Sequence, residues 1–152
     1  MHVLIADDEA LARAHLRSLL VQDPDVTDIA ECRTGAEAVS AILARRPDLV
    51  LLDIEMPELD GFGVVRTLGV DRMPAVIFVT AHHHYATRAA HVPGVDFILK
   101  PVWEPYFTNA LGRAKARLAA QGTTSGATDA FRSSLSALMA QVNPTVGPRP
   151  AR

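Results

Sequence analysis

The chain has 152 residues, 49% hydrophobic and 21% charged, which suits one globular domain with a substantial core plus a tail. A formal net charge of −2 excludes bulk positive charge as a basis for holding nucleic acid or an anionic membrane. The single cysteine, Cys32, excludes a disulfide within the chain, and no apolar run approaches the roughly 20 residues needed to cross a bilayer. No charged leader with an apolar run opens the sequence, so a cytoplasmic location is expected.

In chain order, HVLIA (His2 to Ala6) reads as a strand that ends on Asp7, Asp8 and Glu9. From Ala10 to Val21 the pattern is helical, with Ala12, Leu16, Leu19 and Leu20 on one face and Arg13 and Arg17 on the other. VTDIAE (Val26 to Glu31) is a weaker strand, expected at an edge. Thr34 precedes a helix with Glu37 at its third position, a capping-box pattern, and that helix is expected to run to about Arg46 before Pro47.

LVLLD (Leu49 to Asp53) is an unbroken apolar run ending on a carboxylate, the pattern of a strand buried on both faces of a parallel sheet. Met56-Pro57 then turns the chain. Gly61 to Leu68 predicts a short helix, AVIFVT (Ala75 to Thr80) a fourth strand, and Tyr85 to about His91 a short helix broken at Pro93-Gly94. DFILK (Asp96 to Lys100) predicts the fifth strand. Glu104 to Ala119 predicts a last core helix with Phe107, Leu111, Ala114 and Leu118 at helical spacing.

Strands alternating with helices five times predict an α/β fold, a (βα)5 doubly wound parallel five-stranded sheet. The expectation is a flavodoxin-like strand order of 2-1-3-4-5, with an extra C-terminal helix. The domain is expected over residues 1–120. Residues 121–152 then read as a linker, GTTSGATD, an amphipathic helix at about 130–142, and a Pro-rich disordered tail. The helix carries an apolar stripe of Phe131, Leu135, Leu138, Met139 and Val142. That stripe needs cover, from its own domain or a second chain, and pairing with a second chain is the favoured reading.

Four strand tips carry the chemistry: Asp7 and Asp8, Asp53, Thr80, and Lys100. In a parallel sheet these C-terminal ends share one edge, so groups far apart in sequence converge. Clustered carboxylates repel one another unless a cation joins them, and hard oxygen ligands with room for water favour Mg2+. A carboxylate nucleophile, a hydroxyl, an ammonium and Mg2+ together suit phosphoryl transfer.

The motifs IADDEALAR, LLDIEMPELDG, VTA and DFILKP resemble the receiver domain of two-component response regulators, over about Met1 to Ala119. The resemblance implies that Asp53 accepts a phosphoryl group from a histidine kinase. It implies Mg2+ ligation by Asp8, Asp53 and the backbone carbonyl of Glu55, with Asp7 helping through water. Lys100 would pair with the phosphoryl group, ahead of a cis bond to Pro101, and Thr80 would hydrogen-bond a phosphoryl oxygen. Phe97 would be the aromatic that turns inward when Thr80 moves, in place of the commoner Tyr.

DIEMPELDGF, VTAHHHYA and VDFILKPV further resemble receivers that precede LytTR-type DNA-binding domains. That likeness implies a homodimer formed through the 85–91 helix, the fifth strand and the helix from Glu104, or through the C-terminal helix. Arg88, Asp96 and Arg113 are candidate dimer contacts. DNA would be contacted only by an effector that these residues do not include, and no membrane is involved. A stand-alone receiver acting as a phosphate shuttle or protein-binding module is the alternative. A phosphatase of the haloacid dehalogenase type is a third reading: Glu55 has the spacing of its acid/base, but the early-strand placement and the cap are missing.

Other features have simpler readings. Pro93 should end the 85–91 helix early. His82, His83, His84 and His91 read as an exposed loop before a metal site, since neighbouring loop side chains point apart. Glu55 and His82 flank the path of a hydrolytic water and bear on the lifetime of an acyl phosphate. Cys32 reads as a small loop residue, and Trp103 as a cover over the mouth of the last helix.

Overall fold

The computed structural model describes residues 1–84, 95–121 and 125–142. Five parallel strands, β1 (His2–Ala6), β2 (Asp28–Cys32), β3 (Leu49–Asp53), β4 (Ala75–Thr80) and β5 (Asp96–Leu99), lie in the order β2-β1-β3-β4-β5. The expected doubly wound, flavodoxin-like sheet is therefore the one formed. Five α-helices are described: α1 (Ala10–Leu20), α2 (Gly35–Arg45), α3 (Gly61–Leu68), α4 (Glu104–Gln121) and α5 (Ser125–Gln141). The helix expected over 85–91, with Arg88, His91 and Pro93, lies outside the described residues, as does the tail from 143.

Side chains alternate across the strands and split the core in two. Val3, Ile5, Leu49, Leu51, Ile77 and Val79 face α1 and α4, meeting Leu16, Leu20, Phe107 and Ala114. Leu4, Ala6, Val50, Leu52, Val76 and Phe78 face α2 and α3, meeting Ile42, Phe62, Val65 and Leu68. All five residues of β3 are buried, as a strand covered on both faces requires. β2 lies at one edge and is only partly buried, which fits its weaker apolar pattern.

Local signals set the element ends. Thr34 Oγ1 accepts the Glu37 N–H at 3.1 Å, as the capping pattern requires. The returning Glu37 carboxylate accepts from the N–H of Arg33, one residue ahead of the cap, at 2.9 Å. α2 ends where Arg46 turns left-handed at φ 49. Asp60 Oδ1 caps α3 through the Gly63 N–H at 2.7 Å. Gly61 is needed behind the β3 tip, because a Cβ there would lie 2.6 Å from the Asp53 carbonyl oxygen.

Two boundaries differ from expectation. A short 3-10 turn, Val70–Arg72, follows α3. α5 begins at Ser125 rather than about 130, so most of the polar stretch read as a linker is helical.

The apolar stripe of α5 is also covered differently. Phe131, Leu135 and Leu138 are buried in the α2–α3 side of this chain's own core, with Met139 and Val142 partly buried beside them. The favoured cover, a second chain, is thus replaced by the chain's own domain. Among the described residues no helix is long and apolar enough to cross a membrane.

Candidate functional site

The register of β1, β3, β4 and β5 brings their C-terminal ends to one edge. Asp7 follows β1 and is almost fully buried at 1% exposure, Asp53 ends β3 at 3%, and Thr80 ends β4 at 0%. Asp8 is exposed beside them. Asp7, Asp8 and Asp53 each offer a carboxylate oxygen, all within 4.8 Å of one another. A cleft of about 210 Å³ opens over this group, lined by Asp8, Glu9, Asp53, Glu55, Ala81 and Lys100. A larger cleft of about 550 Å³, lined by Ile42, Arg46 and Arg72 among others, lies at the opposite end of the strands.

Backbone donors hold the acids in place. The Glu9 N–H donates to Asp7 Oδ1 at 2.9 Å, and the Glu55 N–H donates to Asp53 Oδ1 at 3.1 Å. Arg13 steadies the loop from outside by donating to the Asp7 carbonyl at 2.7 Å. Lys100, just past β5, reaches over the acids: its Nζ lies 2.9 Å from Asp7 Oδ2 and 3.5 Å from Asp53 Oδ2. The Asp7 contact is one of charge, since its buried Oδ2 lacks a directed hydrogen bond. The Lys100–Pro101 peptide is cis, as the resemblance implied.

The electrostatics follow from this crowding. Burial first, and then the negative charge of Asp7, push the Asp53 carboxyl up to about 7 from 3.8, although Lys100 pulls the other way. Burial also works against the Lys100 ammonium. The hydrogen bond to Glu9, the close contact with Asp7 and the charge of Asp53 outweigh it and hold the amine above its ordinary value.

The donor set fits a hard divalent cation. Three acids converge, one buried carboxylate oxygen lacks a hydrogen-bond donor, and one carboxyl is pushed toward neutrality by burial and by the charge of Asp7.

The remaining expected residues sit around this edge. Thr80 Oγ1 accepts the His82 N–H at 3.0 Å. The Glu55 side chain, exposed at the rim, pairs with His82. Phe97 is half-buried on β5, opposite Phe78 in register, with ring centroids 4.9 Å apart.

Two readings of side chains change with the structure, and a third gains partners within the chain. Glu9, which the sequence pattern places beside Asp7 and Asp8 without a role of its own, has Oε1 2.8 Å from Lys100 Nζ and forms the outer wall of the cleft. Asp96 and Arg113, candidate dimer contacts, pair with each other at 2.9 Å, and Arg117 joins Asp96 at 3.1 Å. Trp103 does not cover a helix mouth: it is 63% exposed, with its ring 5.6 Å from that of Tyr106. His82, His83 and His84 are exposed, and among the described residues the three aspartates are the only group able to hold a metal.

Comparison with known proteins agrees with this site. Residues 3–111 match the response regulator receiver domain. The transcriptional regulatory protein BtsR of Salmonella typhi is 39% identical over 113 residues, 74% of this chain and 47% of that protein. The sensory transduction protein LytT of Enterococcus faecalis is 40% identical over 119 residues, 78% of this chain and 49% of that protein. Both are LytTR-family response regulators. The chain thus spans about half the length of the curated relatives it matches.

Among solved structures, the receiver domain of AraT, a response regulator from Geobacillus stearothermophilus, is 28% identical with a TM-score of 0.70, covering 80% of this chain and 98% of that one. The response regulatory domain of mrkE from Klebsiella pneumoniae is 26% identical with a TM-score of 0.68, covering 79% and 99%. The family is not one of catalytic enzymes, which removes the phosphatase reading, and receiver domains pair with histidine kinases. This chain belongs to the response regulator receiver domain family and is related to the LytTR transcriptional regulators.

Proposed function

We propose that this domain accepts a phosphoryl group on Asp53 from a histidine kinase, with Mg2+ as its resident ion, and acts as a two-state switch. The observation that carries the reading is the meeting of Asp7, Asp8 and Asp53 oxygens within 4.8 Å, beneath a lysine 3.5 Å from Asp53. An Asp53 carboxylate oxygen attacks phosphorus and forms an O–P bond. The P–N bond of the donor phosphohistidine breaks, its electron pair returns to the ring nitrogen, and that imidazole leaves in its neutral form.

Asp8, Asp53 and the Glu55 carbonyl would hold the ion, with Asp7 acting through water. When bound, Mg2+ would neutralise the acids and draw off charge from the phosphoryl oxygens. Lys100 pairs with the incoming phosphoryl group, and the Thr80 hydroxyl donates its proton to one of its oxygens. The Asp53 carboxyl, held near 7, is only partly ionised at neutral pH, so a cation that favours its anion also favours the nucleophile. Glu55 and His82, paired at the rim, stand where water would approach the acyl phosphate.

Moving a two-state equilibrium nearly to completion takes on the order of 5 kcal/mol of differential stabilisation. Charge-assisted contacts from Lys100 and Thr80 to a new dianion belong to the strong class that supplies such differences. Phe97 at the β4–β5 face would read out the change. We place the protein in the cytoplasm, as the kinase partnership suggests, with residues 1–120 as the switch and residues 121–152 as its extension. Homodimerisation is the proposed output, aligning attached DNA-binding effectors. Relatives named as transcriptional regulators, matched over about half of their length, support that output.

The test is labelling by acetyl phosphate with size measurement of the product. The wild-type chain should take up one phosphoryl group only with Mg2+ present and then run as a larger species. Asp53→Asn should do neither, and undiminished labelling of that variant would rule out Asp53 as the acceptor.

A further inference from the structure

The C-terminal helix α5 is seated on the strands that end at the proposed switch residues. Phe131, Leu135 and Leu138 are buried at 5%, 0% and 1%, in one apolar cluster with Val76, Phe78 and Val95. Phe97, Met139 and Val142 pack against the same cluster. Outside the apolar contacts, Arg132 and Asp71 form an ion pair at 3.8 Å.

Phe78 is two residues before Thr80 on β4, so the two side chains emerge on the same face of the sheet. Phe78 faces Phe97 in register, with rings 4.9 Å apart. A continuous path therefore runs from the acidic edge through Thr80, Phe78 and Phe97 to the helix. Packed interiors resist continuous deformation, so a shift at the tip of β4 repacks this cluster or leaves it unmoved.

We propose that α5 is an intramolecular cover whose docking is coupled to phosphorylation of Asp53: it is seated in the unphosphorylated chain and leaves the β4–β5 face in the phosphorylated one. The inference rests on Asp53 being the acceptor, and adds the element that responds.

The sign follows from two contacts. In the docked form Thr80 Oγ1 is tied to the His82 N–H, within its own turn. Drawing that hydroxyl toward a phosphoryl group on Asp53 moves the strand end that carries Phe78. Among the described side chains, α5 is held by Phe131, Leu135 and Leu138, by partly buried Met139 and Val142, by the Arg132–Asp71 ion pair and by its contact with α4, whereas β3 and β5 clamp β4 by ladder pairing along its length. The helix is the element that yields. Coupling is reciprocal, so undocking the helix must in turn favour phosphorylation.

Hydrogen exchange of the full chain, before and after phosphoryl loading by phosphoramidate with Mg2+, tests this, with intact mass reporting the loading. Amides of residues 131–141 should exchange at least tenfold faster in the loaded protein, while those of β1 and β3 stay unchanged. At a subsaturating phosphoramidate concentration, Leu135→Asp should reach a several-fold higher ratio of loaded to unloaded protein than wild type. Arg132→Glu, a rim change that leaves the core intact, should act in the same direction more weakly.

A chain that takes up one phosphoryl group on Asp53 yet shows unchanged exchange over 131–141 overturns the coupling while leaving the acceptor in place. Loaded fractions equal to wild type in both variants overturn it too. A chain that takes up no phosphoryl group overturns the acceptor assignment and the coupling with it.

Discussion

Replacing Asp53 with asparagine should stabilise the cation-free protein, and more so as pH rises. The carboxyl is buried beside Asp7, and its pKa in the folded chain is about 7 against 3.8 without those surroundings. A raised carboxyl pKa means that the folded state holds a proton that the unfolded chain releases between those values. Its favourable share of stability is full below about pH 4 and is lost as pH climbs through about 7.

About three pH units at about 1.36 kcal/mol each put the loss at on the order of 4 kcal/mol by pH 8, and at under about 2 kcal/mol at pH 5. Asparagine keeps the shape of the neutral acid and never ionises, so it escapes the loss. Urea unfolding in EDTA should show Asp53→Asn ahead of wild type by about 4 kcal/mol at pH 8 and by less than half of that at pH 5. Saturating Mg2+ should narrow the gap by favouring the wild-type carboxylate. A variant no more stable than wild type at pH 8, or a gap that does not change with pH, would refute the account of a strained acidic cluster.

Gly61→Ala puts a Cβ 2.6 Å from the Asp53 carbonyl oxygen, and this backbone contact cannot relax without shifting the β3 tip. It should cost about 1–3 kcal/mol in chemical denaturation and slow phosphoryl uptake by more than it weakens the fold elsewhere. Lys100→Met removes the cation 2.9 Å from Asp7 and 3.5 Å from Asp53, so unfolding in EDTA at pH 8 should show a loss of about 3–5 kcal/mol that Mg2+ partly restores. Burial pushes the Cys32 thiol up to about 11, so native protein should react with a disulfide reagent far more slowly at pH 8 than urea-unfolded protein does.

Much of the fold can be read from the sequence because its signals are local. AVIFVT is a continuous apolar run between Pro74 and a polar loop, and β4 occupies those six residues. Given parallel strands, the tips at Asp7, Asp53, Thr80 and Lys100 have to meet on one edge, and they do. What the pattern does not carry is the direction of side chains in loops. Glu9 adjoins Asp7 and Asp8, but only the turn built on the Asp7 carboxylate points it at Lys100.

The pairing of Glu55 with His82 likewise joins two loops separated by a helix, a 3-10 turn and a strand. The Phe131 stripe shows that α5 needs cover without showing whose. The exposed edge of the α2–α3 core cluster supplies it in three dimensions. The helix reaches back to Ser125 although Gly and Thr are poor helix formers; propensity is a weak prior, and the helix is anchored further along by buried Phe131, Leu135 and Leu138.

The most direct measurement traps the acyl phosphate chemically. Borohydride reduction of the phosphoryl-loaded protein converts the modified aspartate to homoserine, and peptide mass mapping then locates it. The account predicts homoserine at position 53 alone, dependent on Mg2+ during loading and abolished by Asp53→Asn. Homoserine at Asp7 or Asp8, or a phosphoryl group carried by His82, His83 or His84 with Asp53 intact, would contradict it.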